Sequence, residues 1–227
     1  MDDWDINMVN STAIVTENLV KSYGRVKALR GVNLEVHTGE IFGFLGPNGA
    51  GKTTTIRCLL DHIRPNRGTV RVLGLDPQKS SLEVRTRTGY LPGELHVEDN
   101  ATVASTLRYL NGLRGNKADW GYVRYLASKL NLGLTTQIKN LSKGNKQKVG
   151  IIQALMHRPE LLLLDEPTFG LDPLVQQEVL RLVVEARAED ATVFFSSHIL
   201  SEVQEIADRV GSSATGLWSR WPILRYF

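Results

Sequence analysis

Gly46-Pro47-Asn48-Gly49-Ala50-Gly51-Lys52-Thr53 reads Gly, four residues, Gly-Lys-Thr. The apolar run Ile41-Phe42-Gly43-Phe44-Leu45 precedes it and has the length of a buried strand. Residues 54–60 follow without a proline and are expected to be helical. A strand, a glycine loop and a helix together make the motif a phosphate site. A triphosphate concentrates negative charge at one end of a small molecule. Backbone N–H groups can wrap it only where no Cβ intervenes, which gives Gly46, Gly49 and Gly51 a reason. The helix N-terminus adds unpaired donors and a positive dipole end. Lys52 is expected at the β- and γ-phosphates and the Thr53 hydroxyl on Mg²⁺, with Pro47, Asn48, Ala50 and Thr54 completing a triphosphate-binding loop.

The 227 residues allow one large domain or two small ones. Apolar and charged fractions of 42% and 22% are ordinary for a folded soluble protein. With 27 basic and 24 acidic residues, a net charge of +3 gives no electrostatic argument for nucleic acid. Cys58 is the single cysteine, so no internal disulfide framework exists, which fits a reducing cytoplasm. The acidic start Met1-Asp2-Asp3-Trp4-Asp5 does not read as a signal peptide, and no run reaches the ~20 apolar residues of a membrane helix. Work at a membrane would therefore need another chain to span it.

Residues 1–11 read as a lead-in and residues 12–20 as β. A turn is expected at 21–24, two short strands at 26–29 and 32–36, and another strand at 69–73. Together they suggest a β-rich flap beside the nucleotide, where Tyr23 could stack on a purine or simply end a strand. Residues 80–87 are expected to be helical and 88–91 to form a strand before Pro92. From 95 to 140 strand-like runs are absent, within a helical subdomain expected over about 95–158. Val103, Leu107 and Leu110, then Tyr122, Leu126 and Leu130, follow helical spacing, as in an inserted helical subdomain.

Leu141-Ser142-Lys143-Gly144-Asn145 opens the next helix, with Lys143, Lys146 and Lys148 near its start. Cations are disfavoured there by the dipole, so either an anion sits at this end or the face is solvated. Leu161-Leu162-Leu163-Leu164 is apolar on both faces, as in a central parallel strand, and Asp165-Glu166 stand at its carboxyl end. Asp165 is placed to share Mg²⁺ with Thr53, and Glu166 to act on a water as general base. A helix is expected over 174–188, a strand over 191–195, His198 just past it, and a last helix over 199–208.

In order and spacing these pieces resemble the ATP-binding subunit of ABC transporters over residues 13–211. Leu141 to Gln147 stand for the signature sequence, Leu163-Leu164-Asp165-Glu166-Pro167-Thr168 for Walker B, Gly170-Leu171-Asp172-Pro173 for the D-loop and His198 for the switch histidine. The resemblance implies an α/β fold: a P-loop NTPase core with a mainly parallel sheet, an antiparallel β subdomain and an inserted helical subdomain. It implies two such chains, a homodimer, sandwiching two Mg-ATP head to tail. Ser142 and Gly144 would contact the partner's γ-phosphate, His198 would hold the γ-phosphate, Tyr23 would stack on adenine and Glu166 would be the base. The stretch from Gly89 to Glu94 looks like the drug- and antibiotic-exporter branch, which uses a separate membrane permease; the chain would then sit at the cytoplasmic face of the membrane through that permease.

Lys143 and Asn145 stand where the family usually shows Gly and Gln. Gly93 takes the place of the usual Q-loop glutamine, which makes Glu94 an additional candidate for Mg²⁺ and puts coupling to the permease in question. Residues 212–227 depart from the family's closing hairpin and are expected to be a frameshift product, the other reading being a divergent native tail. Two functional alternatives stay open: a soluble ABC ATPase not coupled to transport, and a nucleotide-binding protein with impaired coupling.

Overall fold

The computed structural model describes residues 12–93, 95 and 99–212. The lead-in, Glu94 and the tail beyond Ser212 lie outside the described residues.

Strands β1 (Thr12–Tyr23) and β2 (Val26–His37) form a long antiparallel hairpin, and β4 (Arg67–Val72) pairs on the far side of β1. The two short strands expected at 26–29 and 32–36 are one strand. Arg30 and Gly31 looked like an interruption, but Val20 pairs with Arg30 and Lys21 with Leu29 across the hairpin. The turn expected at 21–24 shrinks to Gly24-Arg25, because Lys21, Ser22 and Tyr23 continue β1. Polar residues fit here because one face of this sheet is exposed, and cross-strand pairing rather than apolar content carries the strand.

The second sheet is parallel throughout, in the order β5 (Thr88–Leu91), β6 (Leu161–Asp165), β7 (Thr192–Ser197), β3 (Ile41–Leu45), β8 (Arg209–Ser212). Every residue of β6 and β7 is buried, as a strand covered on both faces must be. Their side chains divide with period two. Leu161, Leu163 and Phe194 join Phe42, Phe44, Ile14, Val36, Ile56 and Leu59 under the antiparallel sheet and helix α1 (Lys52–Leu59). Leu162, Leu164, Val193 and Phe195 face the opposite core. That core also takes the buried faces of α3 (Val103–Leu113), α4 (Trp120–Lys129), α5 (Lys143–Leu155) and α6 (Pro173–Ala188).

Helix α2 (Ser81–Arg87) precedes β5, and a 3₁₀ turn at Ile138–Asn140 precedes α5. Helix α3 is fixed at its start by a reciprocal pair, in which Ser105 N donates to Thr102 Oγ1 and Thr102 N to Ser105 Oγ. The last helix, α7 (Leu200–Ile206), is shorter than the sequence suggested, and residues 209–212 leave it to pair with β3 as β8. Four residues are too few for a period-two pattern to show in sequence. The α/β class and its three parts, parallel sheet, antiparallel sheet and helical layer, stand as expected.

Candidate functional site

The site lies at the carboxyl ends of β3, β6 and β7, where a parallel sheet opens toward ligands. Gly46 N donates to Ser197 O at 3.2 Å, tying the start of the glycine loop to the end of β7. Gly49 and Gly51 have φ of 83° and 90°, and a Cβ on Gly51 would stand 2.6 Å from Ala28 O. Only glycine meets both demands at position 51. Gly51 is the N-cap of α1 and no side chain caps that helix, so its first N–H groups face the loop. A cavity of about 180 Å³ results, lined by Ala28, Asn48, Gly49, Ala50, Gly51, Lys52, Thr53, Thr54 and Glu166.

Lys52 is buried, and its ammonium donates to the carbonyls of Gly46 and Pro47. It also lies 3.0 Å from Glu166 Oε1, a charge contact off the line of a hydrogen bond. The other Glu166 oxygen, Oε2, is 2.7 Å from His198 Nδ1, which donates to it. Lys52, Glu166 and His198 therefore form one line. Glu166 sits at φ 52°, a left-handed conformation that a side chain adopts at a cost of order 1–3 kcal/mol. Its N–H is held by Ser196 O and Ser196 Oγ, both at 3.2 Å.

Beside this line, Thr53 Oγ1 donates to Asp165 Oδ2 at 2.6 Å, and Ser196 Oγ donates to Asp165 Oδ1 at 2.8 Å. One hydroxyl and one buried carboxylate are hard oxygen donors, enough for Mg²⁺, which takes one or two protein ligands and completes its shell with phosphate and water. The donor set fits. Gly93 runs past the same carboxylate, since a Cβ there would meet Asp165 Oδ2 at 3.4 Å.

The expected site residues divide into two groups. The glycine loop, Lys52, Thr53, Thr54, Asp165, Glu166 and His198 come together. Ser142 and Gly144 do not line the cavity. Ser142 caps α5 by accepting from Asn145 N at 3.2 Å, and a Cβ on Gly144 would meet Gly170 O at 2.8 Å. The lysines there differ in surroundings, and Lys143 is exposed. Lys146 pairs with Asp99 at 3.1 Å, Lys143 stands 5.0 Å over the Phe169 ring and Lys148 is buried. Tyr23 is 47% exposed beside Lys21 and does not line the cavity.

Three contributors were not legible in advance. Ser196 grips both acidic residues; the serine pair before His198 was the available signal. Gln147 is buried and donates to Glu166 O at 3.2 Å, so α5 touches the site from behind. Ala28 lines the cavity only because the hairpin folds over α1, and nothing in its local sequence announces that.

The ABC transporter family model matches residues 29–169. The chain belongs to that family. The ABC domain is 41% identical over 206 residues to the bacitracin transport ATP-binding protein BcrA of Bacillus licheniformis, a match covering 88% of this chain and 66% of the relative. It is 37% identical over 209 residues to the protein of the same name from Enterococcus faecalis, covering 90% of this chain and 67% of that one. The ABC domain thus spans about two thirds of the length of these relatives. A solved ATP-binding subunit of an ABC transporter superposes with a TM-score of 0.80 at 28% identity, covering 88% of this chain and 85% of the other. Among the described residues no helix is long and apolar enough to cross a membrane.

Proposed function

We propose that this ABC domain binds and hydrolyses Mg-ATP as a head-to-tail pair and powers export of an antibiotic-like substrate through a separate membrane permease. The line Lys52–Glu166–His198 beside Thr53–Asp165 carries this reading. Phosphate oxygens entering the loop compete with the Glu166 carboxylate for the Lys52 ammonium. Once they hold it, Glu166 keeps only His198 and can take a proton from a water at the mouth of the cavity. His198 keeps that carboxylate aimed, and a second proton on its other ring nitrogen would let it donate to the terminal phosphate as well. Thr53 and Asp165 would hold Mg²⁺, which when bound neutralises charge on the phosphates.

Ser142 and Gly144 lie off the cavity at the capped start of α5, which supports a role on a second chain's nucleotide. Phe169, Leu174 and Leu200, all close in sequence to Glu166 or His198, are exposed apolar residues and support a covered face. For the permease, a cavity of about 250 Å³ lies between β5, α2 and α3, with Arg85 and Arg114 among its lining. Neither arginine has a carboxylate partner among the described residues, which suits an acidic segment of a membrane protein. The names of the BcrA relatives support antibiotic transport, and attachment to such a permease would put the domain at the inner face of a membrane.

The test is the solution mass of Glu166→Gln with and without Mg-ATP. The variant should bind ATP, shift from monomer to dimer and lose roughly 10²-fold or more in turnover. Bound ATP with no change in mass would defeat the sandwich, and unchanged turnover would remove Glu166 as base.

A further inference from the structure

His198 Nδ1 stands 2.7 Å from Glu166 Oε2, and His198 lies just past the end of a strand. Its two neighbours show how it is held. On the N-terminal side, Ser197 is fully buried, pairs with Leu45 across the parallel sheet and accepts from Gly46 N through its carbonyl. On the C-terminal side, Ile199 N donates to Ser197 Oγ at 3.0 Å. The same hydroxyl donates to Glu202 Oε2 at 2.7 Å. Ser197 Oγ thus closes a tight turn around His198, and its proton is spent on Glu202.

Glu202 is 7% exposed, and its second oxygen has no hydrogen-bond partner among the described residues. A carboxylate buried for one hydrogen bond is an expensive choice if stability alone is served. Its place is set firmly. Its neighbour Val203 packs directly on the backbone of β3, so that a Cβ on Gly43 would meet Val203 Cγ1 at 2.2 Å. Helix α7 has no side-chain cap from Ile199, and the Ser197–Glu202 bond ties its first turn to the strand end.

We infer that Glu202 is a positioning residue for His198, acting through the Ser197 hydroxyl to keep the imidazole on Glu166. The bond orients Ser197 Oγ so that its lone pair faces Ile199 N, and this fixes the backbone on both sides of the histidine. The inference rests on the reading of Glu166 and His198 as the hydrolytic pair.

The experiment measures kcat and KM for Mg-ATP on the full chain, with urea unfolding alongside. Glu202→Ala should lose roughly 10- to 100-fold in kcat, the scale of a small misplacement of a catalytic group, with KM changed less than about 2-fold. Glu202→Gln should restore most of that loss, because its amide oxygen still accepts from Ser197. Ser197→Ala, which leaves little cavity, should match Glu202→Ala, and the double variant should be no slower than either single one. In a His198→Ala background, Glu202→Ala should change kcat by less than about 2-fold, since nothing remains to be positioned. A comparable loss in that background, or a fall in stability with kcat of the folded protein unchanged, would make Glu202 merely structural and overturn the inference. If His198→Ala itself keeps full turnover, the reading of the site falls and this inference with it. If His198→Ala loses turnover and Glu202→Ala does not, only this inference falls.

Discussion

Two helix N-termini in this chain follow glycine-bearing motifs and differ in how they are finished. Helix α1 starts at a bare Gly51 with no side-chain cap, and the residues around it converge: Lys52 on Glu166, Thr53 on Asp165. Helix α5 starts at Ser142, whose hydroxyl already satisfies Asn145 N, and its lysines are occupied by Asp99 and Phe169. The first is an open donor set with its counter-charges built in. The second is a closed, capped surface with no part in the phosphate cavity of its own chain. The proposed division, a loop that holds the nucleotide within its own chain and a capped helix start that meets it from a second chain, would give the two glycine-bearing motifs different local signatures.

The comparison breaks most visibly at α1. Lys52→Ala should remove the charge-assisted phosphate contact and also free Glu166 from its ion pair. A loss of about 10³-fold in kcat/KM, with ATP binding weakened in titration, is expected. Retained affinity would show that the backbone N–H groups alone hold the phosphates.

A change at α5 should spare that binding. Ser142→Asp keeps a good N-cap, so the helix persists, but places a negative charge where a partner's phosphate is proposed to sit. The monomer should bind ATP within about 2-fold of wild type. In the Glu166→Gln background the ATP-driven dimer should disappear from solution-mass measurements. A dimer of unchanged strength would end the proposed role of α5 in trans.

A smaller effect separates the site from its scaffold. His157 follows α5 and is half-buried against Arg114, whose Nη1 lies 3.1 Å from its Nε2. Burial first, then the Arg114 charge, lowers its pKa from 6.5 to about 4. The unfolded chain therefore binds one more proton than the folded one between those values. His157 costs the protein nothing above pH 6.5, and stability falls as pH drops from there toward 4, by up to roughly 3 kcal/mol. His157→Gln should flatten that part of the pH dependence in urea melts at pH 4.5, 5.5 and 7, leaving turnover at pH 7 within about 2-fold. An unchanged slope would assign the acid sensitivity to other groups.

Much of this was legible in the residues. The loop from Gly46 to Thr53 declares its chemistry because glycines at fixed offsets and a following Lys-Thr have few other uses. Leu161 to Leu164 declares a central strand, since only a strand covered on both faces can be apolar at each position. Where reading failed, the cause was pairing at a distance. Arg30 and Gly31 look like a break but lie in a strand fixed by β1, and Arg209 to Ser212 become a strand only because β3 has a free edge.

The sequence by itself determined the parallel α/β core, the phosphate loop and the acidic pair at the end of β6, because each depends on local spacing and residue type. Only the tertiary structure decided which atoms meet. Ser196 holds Asp165 and Glu166, and Glu202 reaches Ser197 behind His198. Ala28 comes over the loop, and Ser142 stays away from it. These are contacts between segments tens of residues apart or across an element boundary. Sheet order and helix packing set them, and no local pattern encodes them.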